Sequence, residues 1–357
     1  MAAPTPSFSF RNVLLIVVPV AIIAALGSWY YTLQADRQLT QTPNPMRNFL
    51  RLNLIAPTKL DAGLIDGDGD LVAGAPADAK EQIDPETLVF VVLGQDADKE
   101  AAQFADLAAY LAKVTGKKVD VTVSADPIPD QMLALRSGKT HLAAFSTGSV
   151  STAVNKGGFI PFCVMADEKG NFGYEMEIVV PADSPAKTPA DLKGKSISFV
   201  SAYSHSGFKV PVVTLWKEFD LQPGVNYTPS FAGSHETIVD GIAKGPLAAG
   251  AVASDLYKRM VGAGEVDPKA IRTIYTSKAS FPSQCFGYAH QLKPELAAKV
   301  KKGFLEFPWK GSSLEKAYAA AGQSKFVPIT YKADWAAVRQ LEVEAEQLLD
   351  TEQTAKK

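Results

Sequence analysis

Four adjacent residues, Ser204-His205-Ser206-Gly207, stand where an apolar strand pattern gives way to a helical one. The start of a helix presents unpaired amide hydrogens and partial positive charge, which suit an anion. Hydroxyl and imidazole groups at that point add donors, each worth about 1.5–3 kcal/mol when its partner is charged. Gly207 lets backbone approach closely. The same residues also read as an ordinary N-cap, with Ser204 or Ser206 satisfying the helix end. A second junction, Gly233-Ser234-His235-Glu236, repeats the arrangement. If both junctions face one cleft, His205 and His235 line an electropositive socket, and bound negative charge favours their protonation; otherwise His235 is a capping or partly buried histidine. A third polar loop, Phe145-Ser146-Thr147-Gly148-Ser149, ends an earlier strand and either closes over the same ligand from the opposite side or simply caps a helix.

These loops need strands and helices to hold them. Leu88 to Leu93 is a short apolar strand, and Phe104, Leu107 and Leu111 then fall on one helical face that ends near Gly116. Val119, Val121 and Val123 alternate with polar residues; Asp130 to Ser137 reads as a short helix and Leu142 to Phe145 as another strand. Such alternation predicts a parallel α/β sheet with right-handed crossovers. The pattern continues through Phe159 to Met165 and Glu177 to Val180, after which Pro181, Pro185 and Pro189 suggest a passage into a second lobe. Strands at Ser196 to Val200 and Ala248 to Ala253 belong there, and the chain is expected to return near Ile271 and to end in the helical stretch KADWAAVRQLEVEAEQLL. The expected division is a first lobe over 87–180, a second over 181–269, and a return to the first over 270–357. Two crossings make a hinged cleft, and ligands of open α/β sheets sit where strands hand over to helices.

Ahead of the lobes, Val13 to Leu26 carries no charge, follows Arg11 and precedes Trp29, Tyr30 and Tyr31. Residues 12–33 are therefore a transmembrane anchor or a cleaved export signal, with 1–11 on the cytoplasmic side and the bulk of the chain outside. Residues 34–86, rich in Pro, Gly, Asp and Ala, read as a tether. Within it Asp66, Asp68 and Asp70 mimic the opening of a calcium loop, but Leu71 occupies the usual glycine position and no Glu follows at position twelve, so a solvated acidic turn is expected. With 36 Lys and Arg against 38 Asp and Glu, the formal charge of −2 gives no basic excess for a nucleic-acid backbone.

From about Leu88 to Leu305 the chain resembles the substrate-binding proteins of phosphonate, phosphite and phosphate ABC importers, the PhnD-like group of type II periplasmic binding proteins. The resemblance rests on SAYSHSGFKVP, GSHETIVDGIAKG, AAGAVASDLYKRM and FPSQCFGYAHQLKPEL in that order. It implies two α/β lobes closing over a phosphorus oxyanion without catalysis, and an ABC permease as partner. By position, Ser204, His205, Ser206 and His235 would hold phosphoryl oxygens, with Gly207 and Ser234 in the same two loops. Asp255 would lie where some members hold a ligand amine. In the third polar loop, Ser146 and Thr147 are the candidate contacts from the first lobe. Three departures bear on ligand choice: His205 replaces the usual Thr, Phe145 stands where aminoalkylphosphonate binders tend to have Tyr, and Gln284 replaces an acidic residue. They favour phosphate, phosphite or a simple phosphonate.

Cys163 and Cys285 fall on segments expected near each other, as buried thiols or, after export, as a disulfide. With four histidines and no close His/Cys cluster, neither metal nor cofactor is expected, and a monomer is the simplest state. Two other functions compete: a ligand sensor for a membrane signalling partner, and a Ser/His hydrolase. The hydrolase lacks the G-x-S-x-G elbow, because position 202 is Ala, and it lacks an evident orienting acid.

Overall fold

The computed structural model describes residues 45–94, 96–124 and 128–355. The expected N-terminal span, 12–33, and the segment before it lie outside these residues, and among the described ones no helix is long and apolar enough to cross a membrane. By internal packing the chain divides into Met1–Arg51 and Leu52–Lys357. The described residues of the first unit are helical, in the helix Pro45–Leu54. All that follows concerns the second unit.

Its strands, in chain order, are β1 (Thr87–Leu93), β2 (Lys118–Ser124), β3 (Leu142–Phe145), β4 (Phe159–Ala166), β5 (Met176–Pro181), β6 (Ser196–Phe199), β7 (Thr228–Phe231), β8 (Gly250–Ala253), β9 (Ile271–Thr276), β10 (Cys285–Ala289) and β11 (Lys325–Pro328). The helices used below are α1 (Ala105–Thr115), α2 (Val210–Phe219), α3 (His235–Ala243), α4 (Ser254–Gly262), α5 (Pro294–Leu305) and α6 (Ala336–Ala355).

Two sheets follow one plan. The first runs β2-β1-β3-β10-β4-β11 and the second β7-β6-β8-β5-β9. Each contains three neighbouring parallel strands, β2-β1-β3 or β7-β6-β8, and next to them one antiparallel strand from a distant part of the chain, β10 or β5. The parallel strands demand crossover helices, which cover the sheet faces and bury them. Leu88, Phe90 and Val92 of β1 are fully buried, as are Leu107 and Leu111 on the inward face of α1, and that helix ends at Gly116 in the left-handed conformation. Around them lies an aromatic core: Phe90 meets Phe104 and Phe304 edge-to-face, with ring centroids 5.7 and 5.8 Å apart. The second core is aliphatic, built from Val179, Ile238, Val239, Val252 and Ile271.

The passages between sheets differ from the sequence expectation. Met176–Pro181, expected in the first lobe, already pairs with β8 and β9 in the second sheet. Likewise Ile271–Thr276, expected to have returned, still belongs to the second sheet, so the crossings are the stretches 167–175 and 277–284. An apolar run announces a strand but not its partner, and both partners here are remote in sequence. Pro181 ends β5 rather than a lobe. The two crossings touch: Tyr174 and Phe281 exchange backbone hydrogen bonds of 2.9 and 2.8 Å.

The segment read as a tether also differs. From Leu52 onward it lies on the first lobe, with Leu64, Val72 and Ala73 buried. The Asp61 N–H donates to Asn155 O (2.8 Å), the Asn155 amide donates to Pro57 O (2.6 Å), and Ile83 pairs with the backbone at Gln291 and Lys293. Backbone and side-chain amide bonds hold this segment, which is why its sequence shows no hydrophobic period.

Candidate functional site

Strand β6 ends at Phe199, and the chain turns through Ser201–Tyr203 into the five-residue π-helical turn His205–Lys209, which runs on into α2. Ser204 caps it in extended conformation, its Oγ accepting the Gly207 N–H at 3.0 Å. The cap and the proposed anion loop are therefore one object. Gly207 is required for packing: a Cβ would stand 2.4 Å from Val200 Cγ2 and 2.6 Å from Ser204 Oγ. Its freedom serves the fit of turn on strand.

His205 and Ser206 are 1% and 2% exposed. The His205 ring meets Phe281 edge-to-face at 4.5 Å, and neither of its buried ring nitrogens has a hydrogen-bond partner. Burial, aided by the Lys209 charge, holds this imidazole well below its ordinary 6.5, so it is neutral, with one nitrogen a donor and the other an acceptor.

The first-lobe loop after β3 lies directly against this turn. A Cβ on Gly148 would stand 2.3 Å from Tyr203 O and 2.9 Å from His205 N, so only glycine permits the approach. Thr147 is buried and shares a 3.0 Å hydrogen bond with the Tyr174 hydroxyl, while its own hydroxyl donates to Pro282 O at 2.7 Å. Burial pushes the Tyr174 phenol up to about 12, and the hydroxyls of Ser206 and Thr147 beside it act in the opposite direction. Thus Tyr174, on the first crossing, stands between a threonine of one lobe and a serine of the other. Ser146 pairs with Ser149 at 2.9 Å, and Gln284 is half-buried just before β10. Phe145, expected to face the ligand, instead lies in the first-lobe core with its ring edge-on to Phe159 at 4.8 Å. The alternation of a strand points successive side chains to opposite faces, and this one points inward.

The second junction is built differently. Ser234 caps α3, accepting the Thr237 N–H at 3.1 Å. His235 is half-buried, and its Nδ1 accepts the Ala253 N–H at 3.3 Å, which fixes the tautomer and leaves Nε2–H as a donor. Burial brings this imidazole down to about 4; Glu236 acts against the shift and Arg259 with it. Asp255, in the first turn of α4, accepts the Leu256 N–H at 2.8 Å, and burial raises its carboxyl above the usual carboxylate range. Arg259 pairs with Glu236 at 3.6 Å and lies over the Tyr318 ring.

Three further residues shape this region: Lys209 and Phe281 lie inside the stretches that carry the resemblance without standing out as site residues, and Tyr174 lies in none of them. Tyr174 and Phe281 sit in crossings whose pairing is non-local. Lys209 is 2% exposed, and its Nζ donates to Gly148 O and to Glu342 Oε1, both at 3.1 Å. Its sequence neighbours gave no hint that a lysine would be internal.

Elsewhere, Cys163 and Cys285 are free, buried thiols on adjacent strands, and burial pushes both well above the ordinary thiol range. Asp66, Asp68 and Asp70 gather their carboxylates within 4.8 Å, with Asp66 accepting the Gly69 and Leu71 N–H groups at 2.7 and 3.1 Å. Leu71 takes φ of 72°, the left-handed backbone that a glycine would occupy in a calcium loop. A cavity of ≈ 630 Å³ lies away from the helix starts, between the segment 57–71 and α6, with Glu342 among its lining residues.

Residues 89–335 match the family of periplasmic substrate-binding proteins of phosphonate ABC transporters. Among solved structures, a binding-protein component of an ABC phosphonate transporter from Pseudomonas aeruginosa is similar at TM-score 0.64 and 17% identity, over 74% of this chain and 88% of that one. PhnD1 from Prochlorococcus marinus, in complex with methylphosphonate, is similar at TM-score 0.63 and 14% identity, over 74% of this chain and 100% of its own. A Xanthomonas citri protein bound to chloride ion is similar at TM-score 0.61 and 16% identity, over 75% and 100%. These likenesses are of fold, the type II periplasmic-binding-protein architecture of two α/β lobes.

Proposed function

The chain belongs to the family of periplasmic substrate-binding proteins of phosphonate ABC transporters, and from that premise we propose that it captures a small phosphorus oxyanion between its lobes and delivers it to a permease. The observation that carries the reading is His205. An imidazole 1% exposed with neither nitrogen paired gains most from a partner, and an oxyanion at the Ser204 cap would pair with its N–H. Ser206 and the Nε2–H of His235 supply further donors, while the Thr147–Tyr174 pair, whose protons go to Pro282 O and to Thr147 Oγ1, holds the first-lobe loop in place beside them. Neutral imidazoles suit the ligand-free protein; a bound dianion would draw a proton onto one of them.

Phosphate, phosphite or an unsubstituted alkylphosphonate fits better than an aminoalkylphosphonate. The position that would need a carboxylate for an ammonium holds Gln284, and the Asp255 carboxyl is held toward its neutral form by burial. Hydrolysis is disfavoured because Ser204 Oγ accepts a backbone N–H, His235 Nδ1 does likewise, and among the described residues no hydrogen bond joins either imidazole to a serine hydroxyl. We place the protein outside the cytoplasm, held or exported by its apolar N-terminal segment.

Isothermal titration of the dialysed full chain in detergent against phosphate, phosphite, methylphosphonate and 2-aminoethylphosphonate tests this. Stoichiometric binding of one of the first three, at about micromolar affinity or better, is expected, equivalent to about −8 kcal/mol. Preference for 2-aminoethylphosphonate would reverse the ligand assignment. Silence on all four would turn the reading toward a sensor.

A further inference from the structure

We propose that Lys209 is a positioning residue for ligand capture: its one buried ammonium joins the first-lobe loop Ser146–Ser149 and the C-terminal helix α6 to the second-lobe turn that holds His205 and Ser206. The inference rests on the reading of that turn as the ligand site.

Lys209 closes the π-helical turn, and its side chain is 3% exposed. Its Nζ reaches out of the second lobe in two directions, to Gly148 O of the first-lobe loop and to Glu342 Oε1 of α6. The carbonyl it grips belongs to the residue whose missing Cβ allows backbone to lie on backbone at Tyr203 and His205. The same loop is tied a second time to the C-terminal region, where Trp335, just before α6, donates its Nε1–H to Thr147 O at 3.1 Å. On the surface, Lys217 of α2 pairs with Glu344 of α6 at 2.6 Å.

Stability alone does not account for such a pair. Desolvating two charges offsets most of their attraction, and replacement of a buried ion pair by apolar residues of similar volume is often neutral or stabilising. What no apolar pair could supply is the second bond, from the ammonium to a carbonyl of the opposite lobe. Parting the lobes would strip Gly148 O from a buried cation, so the ammonium favours the arrangement in which Thr147, Tyr174 and Ser206 face one another. A ligand enclosed there would leave slowly.

The test uses the full chain as wild type, as Lys209→Met, and as Lys209→Met with Glu342→Leu. The double change leaves no unpaired buried charge and serves if the single variant does not fold. Stopped-flow release of methylphosphonate is measured beside acrylamide quenching of Trp335, isolated by difference against Trp335→Phe in each background. We expect the folded double variant to release methylphosphonate roughly tenfold faster or more, the worth of one charge-assisted hydrogen bond, and Trp335 to become more accessible to quencher. Release and quenching both equal to wild type would overturn the proposal and leave the pair a folding element. If wild type binds none of methylphosphonate, phosphate and phosphite, the ligand reading fails on its own and quenching decides: an unmoved Trp335 rejects the link, an exposed one sustains it.

Discussion

At Ser204 the cap leads into a π-helical turn whose five residues are all buried, backed by an internal lysine and pressed against the opposite lobe. At Ser234 the cap leads into a regular helix whose first turn stays partly accessible, with its histidine already satisfied on one side by Ala253. In sequence the two junctions are near twins, each a serine followed by a histidine. Their difference teaches that the same local signal can serve as a sealed contact between lobes or as an open helix start, according to what the rest of the chain lays over it. Burial leaves both ring nitrogens of His205 without a hydrogen-bond partner. His235 keeps one nitrogen free to donate.

Four experiments bear on that contrast. The largest effect is expected from Lys209→Met alone, which leaves Glu342 buried and unpaired and should cost about 3–5 kcal/mol of stability, measured by chemical denaturation. At Ser234 the neighbouring ion pair is partly exposed, so neutralising Arg259, which pairs with half-exposed Glu236, should cost about 1 kcal/mol or less. Equal losses would erase the distinction.

Next come the imidazoles. His205→Ala and His235→Ala should each weaken methylphosphonate binding at least roughly tenfold, about 1.4 kcal/mol, with His205→Ala the worse of the two because its ring is fully enclosed. Titration calorimetry reads this directly, and unchanged affinity in both would remove the imidazoles from the site.

Acidification should act on stability through the same groups. His205 and His235 titrate below the ordinary 6.5 in the folded protein, His235 at about 4, so the unfolded chain binds more protons between those limits. Stability should therefore be complete above 6.5 and fall as pH drops toward 4, seen as a declining urea midpoint. His141 and His290, also lowered by burial, contribute in the same sense, so His235→Gln should flatten the decline only in part. The raised carboxyls of Asp255 and Glu342 act in the opposite sense, so the comparison decides: a His235→Gln decline as steep as that of wild type would contradict the enclosed, neutral His235.

The smallest effect belongs to the exposed cap. Ser234→Ala should cost about 1 kcal/mol, the loss of one capping bond to Thr237 N–H. Ser204→Ala removes an equivalent bond to Gly207 and, in addition, loosens a turn against which the opposite lobe packs, so it should lower ligand affinity as well. If the two serines behave alike in binding, the sealed and the open junction are equivalent after all.

By itself the sequence determined the α/β character, strands near Leu88–Leu93, Leu142–Phe145 and Ser196–Val200, and the helix starts at the Ser204 and Ser234 junctions, because apolar period and capping chemistry are properties of residues close along the chain. It also carried the family, in four short stretches in fixed order. What only the tertiary structure decided were the partners across distance. It placed β5 and β9 together in the second sheet, folded the presumed tether onto the first lobe, turned Phe145 into the core, and set Lys209 between Gly148 and Glu342. Those choices depend on which surfaces meet once both sheets are closed, and a lysine becomes internal only when a carbonyl and a carboxylate from elsewhere in the chain arrive to receive it.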